Sequence, residues 1–146
     1  MRLKVLPAFS GIIFIAMTIG CKTVPFAPGN YTKDYLIVGD GGGFTGLETK
    51  YFITIEGDVY KQMGQDTVLS KMESIDPKIV RQAMHSLEDL NMLAYDYQHP
   101  DNVYKFLTMH LDDRENKVVW GGSDDTVNPV ITNIYQQLIK SLLTEK

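Results

Sequence analysis

The chain alternates well from Leu47 to Glu56. Leu47, Thr49, Tyr51, Ile53 and Ile55 fall on one side, and Glu48, Lys50, Phe52, Thr54 and Glu56 on the other. A period of two carried by β-branched and aromatic residues predicts a half-buried strand. Glu56-Gly57-Asp58 reads as a turn and Val59-Tyr60-Lys61-Gln62 as the returning strand of a hairpin. Ahead of this unit, Tyr35-Leu36-Ile37-Val38 is a short β-type run that stops at Gly39. The period then changes. Ile79, Val80, Ala83, Leu87 and Leu90 recur at helical spacing through about Leu93, behind Asp76-Pro77, a capping residue followed by a proline suited to the first helical position. Leu69, Met72 and Ile75 are spaced for a short helical turn before it. Val103 to Leu111 alternates again, Asp112 to Asn116 is a polar turn, and Lys117-Val118-Val119-Trp120 returns to a break at Gly121-Gly122. Asn128-Pro129 repeats the helix start, and Ile131, Ile134, Leu138 and Leu142 mark the apolar stripe of a last helix. The expected fold is α+β: an antiparallel sheet of four to five strands in two hairpins, with two helices on one face.

The first twenty residues follow a different pattern. Arg2 and Lys4 precede an apolar run ending in Ile12-Ile13-Phe14-Ile15-Ala16-Met17, and the small residue Gly20 stands directly before Cys21. A charged start, an apolar middle and a small residue at the junction make a signal peptide over residues 1–20. Thr18-Ile19-Gly20-Cys21 resembles the lipobox of bacterial lipoproteins, with Thr18 where Leu is usual. Cys21 would then carry the lipid. An uncleaved membrane anchor needs about 20 apolar residues, more than this run, broken by Pro7, Ser10 and Gly11, supplies. Cys21 is the single cysteine, so no intramolecular disulfide forms, and thioether linkage would cap a thiol otherwise exposed in an oxidising compartment. Residues 22–34, with two prolines and a glycine, read as a tether, leaving residues 35–146 as one domain. Lys22 after the cysteine, in place of the acidic residue of inner-membrane retention, points to the outer membrane, facing the periplasm or the surface.

Charge narrows the partners. Removing the signal leaves 146 − 20 = 126 residues and a formal charge of 12 − 18 = −6, because Arg2 and Lys4 leave with it. Such a balance gives no footprint for nucleic acid and no polybasic patch for anionic lipid, so membrane attachment rests on the lipid of Cys21. The expected partner is a protein, either a peptidase or another envelope component.

Gly41-Gly42-Gly43-Phe44-Thr45-Gly46 fits the spacing of a dinucleotide-binding loop, but a strand follows it where that motif requires a helix N-terminus. No cofactor is expected. The segment reads instead as a wide glycine loop between strands with positive-φ positions and a bulge, and as the first candidate for a binding loop. Tyr95, Tyr97, Tyr104, Phe106 and Trp120 concentrate around the second hairpin. They stand either as core and cross-strand packing or, for an exposed subset led by Tyr104 and Trp120, as an interface. His85, His99 and His110 are too dispersed for common metal spacings, and Asp112-Asp113 and Asp124-Asp125 lack the pattern of a calcium loop. No nucleophile signature is present, so no catalytic residue is assigned. The weaker alternative, an unrecognised hydrolase or sugar-binding enzyme, requires a concave pocket where His99, Asp101 or His110 converge.

A β-segment leading into Gly42-Gly43-Phe44-Thr45-Gly46, a leucine-rich central helix, and Asp101-Asn102-Val103-Tyr104-Lys105-Phe106 opening a strand resemble emfourin-type domains. With Trp120-Gly121 they also resemble lipoproteins of Bacteroidetes-type bacteria that carry a GGGFTG segment. The likeness spans roughly residues 35–122, and the chain differs from emfourin in its lipobox and in extra hairpin length near residues 56–62. Emfourins inhibit thermolysin-like metallopeptidases, so the resemblance implies a non-catalytic domain that blocks a protease.

Overall fold

The computed structural model describes residues 26–121 and 126–144. The signal segment 1–20, Cys21, and the Gly122-Ser123-Asp124-Asp125 stretch lie outside the described residues. The described chain forms β1 (Tyr35–Gly42), β2 (Thr49–Thr54), β3 (Val59–Met63), β4 (Ser70–Lys71), α1 (Pro77–Asp89), β5 (Gln98–His99), β6 (Val103–Leu111), β7 (Arg114–Gly121) and α2 (Pro129–Thr144). They build one seven-stranded sheet in the order β4-β3-β2-β1-β6-β7-β5. All its pairings are antiparallel except that of β5 with β7. The α+β class therefore holds, and the expected four to five strands become seven. The two additions, β4 and β5, are two residues long, too short for any period to announce them.

The register explains which side chains meet. Leu36, Val38, Ile53, Leu107, Met109, Val118 and Trp120 share the core with both helices. Helix α1 contributes Val80, Ala83, Met84 and Leu87, and α2 contributes Ile131, Ile134, Tyr135 and Leu138, each set at i, i+3, i+4, i+7. Both helix starts use the cap read from sequence. Asp76 Oδ1 accepts from the Lys78 N–H at 2.8 Å, and Asn128 Oδ1 from the Val130 N–H at 2.9 Å. Helix α1 stops earlier than Leu93, because Asn91 takes a left-handed conformation (φ 56°) and Met92–Ala94 form a separate 3-10 turn. The helical turn expected around residues 69–75 is replaced by β4, which pairs with Tyr60 and Lys61. The second hairpin turns in two residues, Asp112 and Asp113, both at positive φ, so β7 begins at Arg114.

On the sheet face away from the helices, the amino-terminal stretch is not a simple tether. Phe26 is only 6% exposed and packs with Tyr35 and Phe52, with Tyr31, Ile37, Tyr60 and Leu69 around them. Its ring stacks on Tyr60 at 4.8 Å and meets Tyr35 edge-on at 5.7 Å. Tyr31 Oη donates to Glu56 Oε2 at 3.1 Å, and Lys33 Nζ binds Glu56 Oε1 at 2.6 Å. Residues 26–34 thus form a strap lying on the sheet, and the packed structure begins before residue 35.

Candidate interaction surface at the glycine hairpin

Strands β1 and β2 are central and long enough to carry their connecting loop clear of the sheet. Gly41 is still inside β1 and buried, while Gly42 (φ 93°), Gly43 (φ 69°) and Gly46 (φ 62°) turn the chain. At Gly42 a side chain is doubly excluded, since a Cβ would overlap the Asn102 carbonyl oxygen. The loop is pinned by the Gly43 N–H donating to Asn102 O at 2.6 Å, and by Gly46 N–H donating to Gly43 O at 3.3 Å. Between these glycines, Phe44 projects into solvent with a relative exposure of 108%. A large aromatic ring so fully exposed on a pinned loop is the feature that marks this end of the sheet as a candidate contact surface.

Phe44 is not alone. Leu47, Met63 and Val103 are exposed large apolar residues at the same end of the sheet. Val103 pairs with Gly42, Met63 pairs with Thr49, and the Leu47 side chain lies beside Gly64. Sequence reading singled out the loop but missed these three. Leu47 opens the alternating run and Val103 opens the next, so both were visible; their meeting at one pole depends on strand order.

Of the residues expected at an interface, Phe44, Thr45 and Gly46 form the tip. Tyr104 stands at its foot: its ring abuts Gly41 and its hydroxyl donates to Glu48 Oε1 at 2.9 Å. Trp120 lies on the opposite, helix-facing side, 4% exposed and edge-on to Tyr135 at 5.2 Å between centroids. It is a core residue and offers no contact surface.

Under the loop lies a charged cluster that sequence reading did not assemble. Lys117 Nζ approaches Glu48 Oε1 at 3.0 Å and Lys50 Nζ approaches Oε2 at 3.1 Å, while Lys117 also sits 4.1 Å from the centroid of the Phe106 ring. Partial burial works against the charge on Glu48, but hydrogen bonds from Lys117, Tyr104 and Lys50 outweigh it and hold the carboxyl below the usual glutamate range. The cluster clamps the second foot of the loop to β6 and β7. A depressed native pKa stabilises the fold above the unfolded-state value near 4.5 and loses that contribution as pH falls through the native value. The expected result is that Tm of the wild type drops more steeply than that of Glu48→Gln as pH falls below 4.5. Parallel melting curves for the two would show that the cluster contributes nothing.

The three histidines stay apart. His85 is exposed on α1 with Asp89 at 3.9 Å, His99 packs on Tyr97, and His110 stacks on Tyr35 at 4.4 Å. Asp101 lies against Gly121 at one end of the sheet, and His110 pairs with Tyr35 at the other, roughly 25 Å of strand away. His110 is therefore not brought together with His99 and Asp101, which lie beside Trp120 and Gly121. Among the described residues, no three His, Cys, Asp or Glu side chains group closely enough to hold a metal ion. No protein-family model matches the chain, and no curated protein matches it significantly.

Proposed function

We propose that this chain is an envelope-anchored lipoprotein, lipidated at Cys21 and held at the outer membrane, whose domain is a non-enzymatic interaction module. The contact surface in this reading is the glycine hairpin tip. The observation that carries it is Phe44: a large aromatic side chain fully in solvent, on a loop pinned at both feet, with Leu47, Met63 and Val103 beside it. Burial of such an anchor in a partner pocket is where binding energy concentrates. The projection of the same loop favours a second reading, inhibition of a thermolysin-like metallopeptidase by occupation of its cleft.

Stoichiometric titration of the domain, Lys22 to Lys146, against secreted metallo- and serine peptidases separates the two. Inhibition that Phe44→Ala weakens about 30-fold or more, the effect of losing a central anchor, with Tm unchanged, supports the inhibitor. If no peptidase is inhibited, a photo-crosslinking residue at position 44, in cells, tests the broader reading. Crosslinks to an envelope protein at 44 and not at the exposed α1 position Arg81 support it. Equal labelling from both positions sinks it.

A further inference from the structure

The strap and the glycine tip occupy opposite poles of the sheet. Phe26 packs beside Tyr35, the first residue of β1, and the tip follows Gly42, its last. Seven residue steps of strand separate these positions, about 23 Å. From Cys21 to Phe26 the chain advances only 26 − 21 = 5 residues, which can reach at most about 18 Å. Were residues 22–34 a free tether, as their composition suggests, the corresponding leash to Tyr35 would be more than twice as long. Docking of Phe26, reinforced by the Tyr31 and Lys33 contacts to Glu56, removes that slack.

We propose that the strap holds the domain upright on its lipid anchor, with the Phe26 pole facing the bilayer and the glycine tip as the membrane-distal pole. The inference rests on lipidation of Cys21 and on the tip being the contact surface. Its partner is then a protein in the aqueous phase that presents an apolar pocket no more than about 40 Å from the anchoring membrane, the sum of the fully extended leash and the strand.

Charge at the strap pole is compatible with a stand-off. Asp34, Glu56, Asp58, Asp112, Asp113 and Glu115 gather there against Lys33, Lys71 and Arg114. That excess resists flat contact with anionic headgroups. Screening confines the repulsion to about 8 Å, well inside the reach of the leash, so it sets a gap without turning the domain over.

The test uses the full mature lipoprotein in vesicles of zwitterionic lipid with a minor anionic component. Mass spectrometry of its amino terminus first establishes the lipid; an unmodified Cys21 overturns the lipoprotein reading and this proposal with it. Since lipidation consumes the native thiol, a single fluorophore can be placed through Thr45→Cys at the tip or Glu73→Cys near the strap pole, with an energy acceptor in the headgroups. The expected result is strong transfer from position 73 and several-fold weaker transfer from position 45. Phe26→Ser, which frees the strap, should shrink that difference. Equal transfer from the two positions in the wild type overturns the upright arrangement while leaving lipidation intact. Stronger transfer from position 45 overturns it in favour of a tip that docks on lipid.

Discussion

Gly39→Val is expected to destabilise the domain by about 3 kcal/mol, at the upper end of overpacking effects, or roughly 10 °C in Tm. Gly39 sits in the middle of β1, hydrogen-bonded between β2 and β6 with Lys50 and Phe106 as its register partners. A Cβ there would overlap the Thr49 carbonyl oxygen and fall 2.5 Å from Phe106 Cζ. Phe106 is 1% exposed although it lies on the face without helices, because its ring fills the space over Gly39 beneath the Lys117 ammonium. The glycine is thus the floor of an aromatic slot. A double-mutant cycle with Phe106→Ala checks the reason for the effect. The ring clash vanishes in the double variant while the clash with the Thr49 carbonyl persists, so the two losses should fall short of additivity by about 1 kcal/mol. Full additivity would mean that ring and glycine do not share the slot.

Trp120→Ala is expected to cost about 3–5 kcal/mol and to leave tip-mediated binding intact at temperatures where the variant is folded. The indole is buried between the sheet and α2, against Tyr135. Its removal opens a cavity between layers that are otherwise close-packed. Phe44→Ala should do the reverse, weakening partner binding with little change in Tm, since its side chain is fully exposed and buries no area on folding. Thermal melts of both variants beside one binding assay decide the matter. A Trp120→Ala protein with wild-type Tm and lost binding would place the indole at the interface and refute the packing described above.

Features fixed by neighbours in sequence were legible, and those made by distant chain segments were not. Asp76-Pro77 and Asn128-Pro129 announced both helices because a cap acts within two residues of itself. The alternation from Leu47 onward correctly sorted Ile53 to the helix-facing core and Phe52 to the other side. By contrast, Leu69, Met72 and Ile75 imitate a helical stripe, yet their segment is drawn into an edge strand by pairing with β3. Trp120 and Tyr104 looked alike as aromatic residues of one hairpin. Register alone sends one into the core and the other to the foot of the loop. The Glu48 cluster joins residues 56 and 69 positions apart, and Phe26 lies in a stretch with two prolines that reads as a tether. Neither carries a local period, so neither could be found without the strand order.

The two short outer strands bear on how copies of the protein behave toward each other. Strand β4 covers part of β3, while β5, the Gln98 side chain on the Lys117 carbonyl, and Asn116 bridging to the Met92 and Tyr95 carbonyls cover β7. A sheet with a long bare margin is a template for adding strands from another molecule. Confinement to a bilayer plane, as proposed, raises encounter frequency between copies far above that in free solution. Margins closed in this way would let the protein accumulate at high lateral density without fusing into cross-molecular sheets.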